Sequence, residues 1–279
     1  MTAIYLIGLR EGLEITLVVS ILVAFLVKSD RRHLLKFVWA GVAAATLLSV
    51  GFAALLETGA ARLSGPDQEL FEAIASFTAV VFVTWMIFWM RRMARRIGSE
   101  LRGKLEDAIK VGTFAVAAMA FLAVIREGLE TSILFYAAAQ GAEDAKPFIG
   151  LSLGLLTAVV LGWLIYASAV RINLGTFFTW TGALLVLVAA GIFKYGVHDL
   201  QESGVAPGLY DYAFDVSGAL PPTAWYAELL RGMFNFTPQP TVLETAAWLG
   251  YGIPVLVLFL LPLLRKPAER KPAPVSTSA

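Results

Sequence analysis

Apolar residues along this chain do not alternate with polar ones. They gather in blocks of about 20, separated by short turns that are charged or contain Gly and Pro. The pattern predicts helices over residues 4–27, 35–56, 70–90, 111–136, 148–170, 176–197 and 243–264. Each block is long enough to cross the roughly 30 Å hydrocarbon core of a bilayer as a helix. In lipid only helices and closed barrels satisfy the backbone, and barrel strands alternate with period two. The expected fold class is an all-α integral membrane protein with seven transmembrane helices. Residues 1–264 are expected to form one transmembrane domain. Residues 265–279, rich in Pro, Ser and Lys, are expected to form a disordered cytoplasmic tail.

Composition agrees with this reading. The chain is 58% hydrophobic and 15% charged, against about 25% charged in soluble domains. The N-terminus lacks a basic leader region and a cleavage site, so the first block is expected to stay as a span. Orientation follows from Lys and Arg. Lys28, Arg31, Arg32, Lys36, the basic run 91–110, Arg171 and the tail put sixteen of them on one set of connections. The other set holds Arg62, Lys146, Lys194 and Arg231. The N-terminus is therefore expected outside and the C-terminus in the cytoplasm. Twelve acids face those four bases on the outer side, a formal −8 that concentrates cations. Trp39, Trp89 and Trp180, with Tyr5, Tyr136, Tyr195 and Trp248, fall at the expected membrane interfaces. The basic run 91–110 reads as topogenic and as contacting anionic headgroups, not as a nucleic-acid site.

Inside two of the blocks stands the same pentapeptide, Arg10-Glu11-Gly12-Leu13-Glu14 and Arg126-Glu127-Gly128-Leu129-Glu130. A charge at membrane depth costs about 2.5–3.5 kcal/mol, so intramembrane ionisable residues mark functional sites by default. The first copy lies on a span running inward and the second on a span running outward. Helices one to three and four to six are thus expected to form a 3+3 inverted repeat, about 1–90 and 111–197, with an outer loop at 198–242 and helix seven at 243–264. Such repeats place substrate sites near the midplane and point to alternating access, with a channel-like path as the alternative.

At 100° per residue, the Arg and both Glu of each copy share one stripe of their helix. Arg at i and Glu at i+4 can pair, and Gly12 and Gly128 allow close helix approach, aided by Gly8. If the two stripes face each other, Glu11, Glu14, Glu127 and Glu130 converge, with Arg10 and Arg126 as supporting charges and a formal −2. With no cysteine and two histidines, such a site suits hard or borderline cations: iron in either oxidation state, manganese, calcium or magnesium. Copper(I) does not fit, because the six methionines are scattered through the sequence, and zinc fits poorly. Crowded carboxylates hold protons when empty, so metal entry is expected to displace them. Secondary candidates are Glu69 and Glu72 at the outer mouth of helix three, and Asp199 and Glu202, with His198, at the outer end of helix six. For each of these, a solvated helix end is the competing reading, as it is for Glu143 and Asp144. The segment 198–243 contains Pro207, Gly208, Pro221, Pro222, Pro238 and Pro240 and an amphipathic piece near 223–236, read as a lid or docking surface.

The doubled Arg-Glu-Gly-Leu-Glu motif in a seven-span chain resembles the oxidase-dependent iron transporter family, and in size its bacterial permease branch. His198-Asp199-Leu200-Gln201-Glu202 is similar to that family's His-Glu-Leu-Gln-Glu segment, with Asp in place of the first Glu. The resemblance implies an iron permease of the bacterial inner membrane, with Glu11, Glu14, Glu127 and Glu130 as the iron-handling carboxylates. It implies iron as transported substrate with no resident cofactor, and a partner that is an oxidase or a periplasmic iron-binding protein. Relatives linked to lead keep lead, and by chemistry manganese, as alternative cargo. The rival class is a non-transporting assembly or sensor protein locked by intramembrane Arg–Glu pairs. An enzyme is not expected, since no nucleophile–base pair, phosphate loop or His-rich redox site is present.

Overall fold

The computed structural model describes residues 2–60, 62–93, 97–140, 145–167, 174–218, 220 and 225–264. Expectations for Glu143, Asp144, Arg171 and the tail 265–279 lie outside the described residues. The elements are α1 (Thr2–Lys28), α2 (Leu35–Ala60), α3 (Pro66–Met93), α4 (Ile97–Val111), α5 (Thr113–Ala139), α6 (Lys146–Tyr166), α7 (Leu174–Glu202), α8 (Trp225–Phe234) and α9 (Val242–Leu264). No strand occurs among the described residues beyond a single bridge between Tyr212 and Thr241. The all-α class is therefore found. Among the described residues five helices, α2, α3, α6, α7 and α9, are long and apolar enough to cross a membrane. Helices α1 and α5 are equally long at 27 residues, but each interrupts its apolar run with the three charges of a motif.

Helix packing follows small residues. On α6, Gly150, Gly154, Ala158 and Gly162 recur every fourth position and form the buried face, as i, i+4 neighbours on one side of a helix do. That stripe lets α1 approach until a Cβ at Gly154 would overlap the carbonyl oxygen of Tyr5. On α2 the stripe is Gly41, Ala45 and Ser49, and it faces α5: a Cβ at Gly41 would overlap the Ala117 carbonyl. The outward faces of α2 and α6 expose Leu47, Leu48, Val50 and Leu153, Leu156, Val160, as lipid contact requires. Helix α3 packs on α7, and α7 on α9, around Val83, Met86, Ile87, Val186, Ala189 and Phe259.

The two ends of the bundle differ. At one end the chain leaves α1 through Asp30, whose φ of 55° and the Arg31 N–H to Leu26 O bond close a left-handed helix cap. The basic run expected as a topogenic connection between spans is here largely helix α4, and its apolar face, Leu101, Leu105, Ala108 and Ile109, packs beside Leu22, Leu26, Val116 and Ala120. Four apolar residues at helical spacing suffice to dock it, a signal masked by the surrounding charges. Gly112, at φ 137°, breaks α4 from α5 in a conformation closed to other residues. At the opposite end α7 runs on past the expected boundary to Glu202, so Asp199 and Glu202 are helical. There residues 211–216 run against 238–242 through Val242 N–H to Asp211 O and Ala213 N–H to Pro240 O. Hydrogen bonds from Ser217 and Gln239 hold the Asp215 carboxyl below its usual range. The expected amphipathic piece is α8, and the segment is pinned to α7 where Lys194 Nζ donates to Asn235 O (2.9 Å) and Thr237 Oγ1 (2.7 Å).

Candidate metal site

The motif stripes of α1 and α5 face each other in the interior. One carboxylate oxygen each of Glu11, Glu14 and Glu127 lies within 4.8 Å of the others, and all three residues are buried. Glu130, also buried, turns its Oε1 to Arg126 Nε at 3.0 Å and remains close enough to repel Glu11 and Glu14. Helix pitch explains the convergence: Arg at i, Glu at i+1 and Glu at i+4 occupy one side of each helix. The glycines explain how the stripes come together, though by packing on other helices. Gly12 seats Ala158 of α6, and Gly128 seats Ser49 of α2.

Identical in sequence, the two arginines differ in setting. Arg10 is fully enclosed, its Nη1 donating to Glu11 Oε1 at 2.6 Å and to Met86 Sδ at 2.8 Å, with Nη2 3.0 Å from Glu14. Arg126 is 31% exposed and stacks 4.0 Å above the Trp89 ring, with Trp85 next to it at 5.5 Å. It lines a cavity of about 550 Å³ that also touches Glu127, Trp89, Met119, Glu100 and Lys104, and so leads from the buried carboxylates to α4. Sequence alone offers no reason to separate the two copies. Nor does it point to the Trp85–Trp89 pair or to Met86, because nothing local marks an aromatic or thioether as lying beside a distant charge.

The donor chemistry fits a hard or borderline cation. Glu11 Oε2, Glu127 Oε2 and Glu130 Oε2 are buried with no hydrogen-bond donor among the described residues. A buried charged oxygen left unpaired costs several kcal/mol and calls for an explanation such as an ion. Three carboxylate oxygens within 4.8 Å of one another leave room for a divalent cation to bind all three as oxygen ligands.

A second acidic group lies at the end of the bundle opposite α4. Oxygens of Glu69, Glu72 and Asp199 lie within 4.8 Å of one another, so α3 and α7 contribute to one cluster. Asp199 is 1% exposed, and neither of its carboxylate oxygens has a hydrogen-bond partner among the described residues. Glu202 adjoins this cluster through Glu69 and lies 3.3 Å from His198 Nε2. His198 Nδ1 is 2.6 Å from Glu244 Oε1 on α9, a residue that the charge pattern marks only as an outer acid. A local signal does exist: Thr241 and Glu244 form a capping box, with Glu244 N–H to Thr241 Oγ1 at 3.1 Å and Thr241 N–H to Glu244 Oε2 at 3.2 Å.

Comparison with known proteins points the same way. The model of the Iron permease FTR1 family matches residues 1–266. The "Ferrous iron permease EfeU" of Escherichia coli O6:H1 is 38% identical over 261 residues, covering 92% of this chain and 95% of its own. The protein of the same name from Yersinia pestis is 35% identical over 261 residues, 92% of this chain and 93% of its own. No solved structure matches the chain.

Proposed function

The chain belongs to the iron permease FTR1 family, and from that premise we propose that it moves ferrous iron into the cell through the carboxylates of its two Arg-Glu-Gly-Leu-Glu motifs. The observation that carries this reading is the convergence of Glu11, Glu14 and Glu127, with Glu130 alongside, in the interior. Buried carboxylate oxygens without donors are poor structural devices and good cation ligands. Arg10 and Arg126 neutralise the carboxylates when no metal is present and yield to the incoming cation.

On this reading residues 1–264 are one transmembrane domain with seven spans, α1, α2, α3, α5, α6, α7 and α9. The N-terminus lies outside, α4 lies on the cytoplasmic surface, and residues 265–279 form a cytoplasmic tail. An inverted repeat of about 1–90 and 111–197 is supported by reciprocal packing: α1 rests on α6 as α5 rests on α2, with Gly12 against Ala158 as Gly128 is against Ser49. Iron is gathered by Glu69, Glu72 and Asp199, with Glu202 and His198 adjacent, at the outer end. It passes to the motif glutamates and leaves by the cavity that runs from Glu127 and Arg126 to α4. The protein works in the bacterial inner membrane without a resident cofactor, supplied by a periplasmic iron-binding partner; the oxidase partner that the sequence resemblance implies would deliver ferric iron and does not suit a ferrous cargo.

The test is uptake of radioactive ferrous iron into proteoliposomes by Glu14→Gln and Glu130→Gln. Both are expected to abolish uptake while leaving the amount of folded protein unchanged. Normal iron uptake by both variants would overturn the site. Loss of folded protein in both, with flux per folded molecule intact, would favour the rival in which the charges only lock helices.

A further inference from the structure

One contact at the buried site carries chemistry that the glutamates do not. Nη1 of Arg10 touches two acceptors, Glu11 Oε1 at 2.6 Å and Met86 Sδ at 2.8 Å. Met86 comes from α3, is 1% exposed, and is held by the core between α3 and α7. A positively charged nitrogen therefore already sits between a carboxylate oxygen and a thioether sulfur. A metal cation arriving among Glu11, Glu14 and Glu127 repels the guanidinium, and a cation that takes the position of Nη1 inherits both neighbours. The expectation from sequence is an all-oxygen site with its methionines scattered; the fold brings one of the six to the carboxylates.

We propose that Met86 is a specificity-determining ligand, its thioether selecting ferrous iron over harder divalent cations at the motif glutamates. The inference rests on the proposed iron site and deepens it. Thioether sulfur is a soft donor that adds little for magnesium, calcium or manganese, whose preferred ligands are oxygens, and more for later, softer ions. Carboxylates alone rank divalent ions mainly by charge and size, so they discriminate ferrous iron from manganese weakly. A single sulfur in the shell changes that ranking without adding charge, and it is pre-placed because α3 buries it.

The first measurement uses the unaltered protein. Iron K-edge X-ray absorption of the ferrous-loaded protein is expected to show a sulfur scatterer, and since the chain has no cysteine, that sulfur can only be a thioether. A shell of oxygen and nitrogen alone overturns the proposal. The second compares ferrous and manganous uptake in proteoliposomes by Met86→Leu and Met86→Gln. Gln keeps an acceptor for Arg10 but replaces soft sulfur by hard oxygen. Both variants are expected to lose roughly tenfold in the iron-to-manganese preference, about 1.4 kcal/mol, while still carrying manganese. A Gln variant with wild-type preference beside a defective Leu variant means that Met86 only holds Arg10, and overturns the proposal. Unchanged preference in both does the same. Failure of the underlying site reads differently: Glu14→Gln then transports iron normally whatever the preference of the Met86 variants.

Discussion

Arg10 and Arg126 occupy the same place in the same pentapeptide, yet their removal should not cost the same. Arg10→Ala leaves Glu11 and Glu14 facing each other in a fully enclosed site, after the loss of contacts at 2.6 and 3.0 Å. Removing one partner of a buried ion pair costs about 3–5 kcal/mol. Arg126 is 31% exposed, though Glu130 is only 8% exposed; solvent reaching the guanidinium partly screens the pair and places it nearer the roughly 1 kcal/mol of an exposed pair than the cost of an enclosed one. Its stacking on Trp89 adds roughly 0.5–2 kcal/mol. Arg126→Ala should therefore cost about half as much as Arg10→Ala or less. In soluble chains of 150–250 residues each kcal/mol moves the midpoint by about 2–4 °C. Carrying that scale over, Arg10→Ala falls by roughly 10 °C and Arg126→Ala by roughly 5 °C. The assay is thermal unfolding of detergent-purified protein followed by size-exclusion chromatography with tryptophan fluorescence, for which the chain supplies seven tryptophans. Proton uptake limits the damage, because an unpaired buried carboxylate can be neutralised by a proton. The Arg10→Ala deficit should accordingly shrink as pH is lowered. Equal losses in the two variants, or a deficit that grows in acid, would refute the reasoning.

Three further outcomes are expected. Gly128→Ala places a Cβ on Ser49 Oγ and 2.9 Å from Ser49 Cβ, an overpacking cost of about 1–3 kcal/mol that Ser49→Gly should relieve in the double variant; Gly154→Ala meets the backbone of Tyr5 and Leu9, so no side-chain truncation should rescue it, as the same melting assay will read. Asp199→Asn replaces a buried carboxyl group, unpartnered among the described residues and beside Glu69 and Glu72, by an amide that cannot become an anionic ligand, and should raise the KM for ferrous iron about tenfold, a loss of roughly 1.4 kcal/mol in capture, with folded protein undiminished. Since carboxylates must be deprotonated to bind metal, uptake at low iron should fall as external pH drops from about 7 to about 5, and recover when iron is raised; uptake that quickens in acid at low iron would contradict proton competition.

Residue spacing decided a good deal. Blocks of about 20 apolar residues dictate helices, because in lipid only helices and closed barrels satisfy the backbone and barrel strands alternate with period two. The repeated Arg-Glu-Gly-Leu-Glu puts its charges on one stripe of α1 and α5, because 3.6 residues per turn leave i, i+1 and i+4 on one side. Those two facts are enough to single out Glu11, Glu14, Glu127 and Glu130. Less was legible where long-range contact chooses. Helix α4 hid its four-residue apolar face among charges, and the convergence of Glu69 and Glu72 with Asp199, with Glu202 beside Glu69, is set by the meeting of α3 and α7. The inequality of Arg10 and Arg126 also lies in the packing. Met86 of α3 encloses the first arginine, while Trp85 and Trp89, one turn apart on the same helix, leave the second beside a cavity. By itself the sequence determined which residues carry charge into the long apolar helices and on which face of each helix, because helical geometry is local. Only the tertiary structure decided which neighbours each charge meets, because a helix face is blind to its partner until small residues on other helices bring the backbones together.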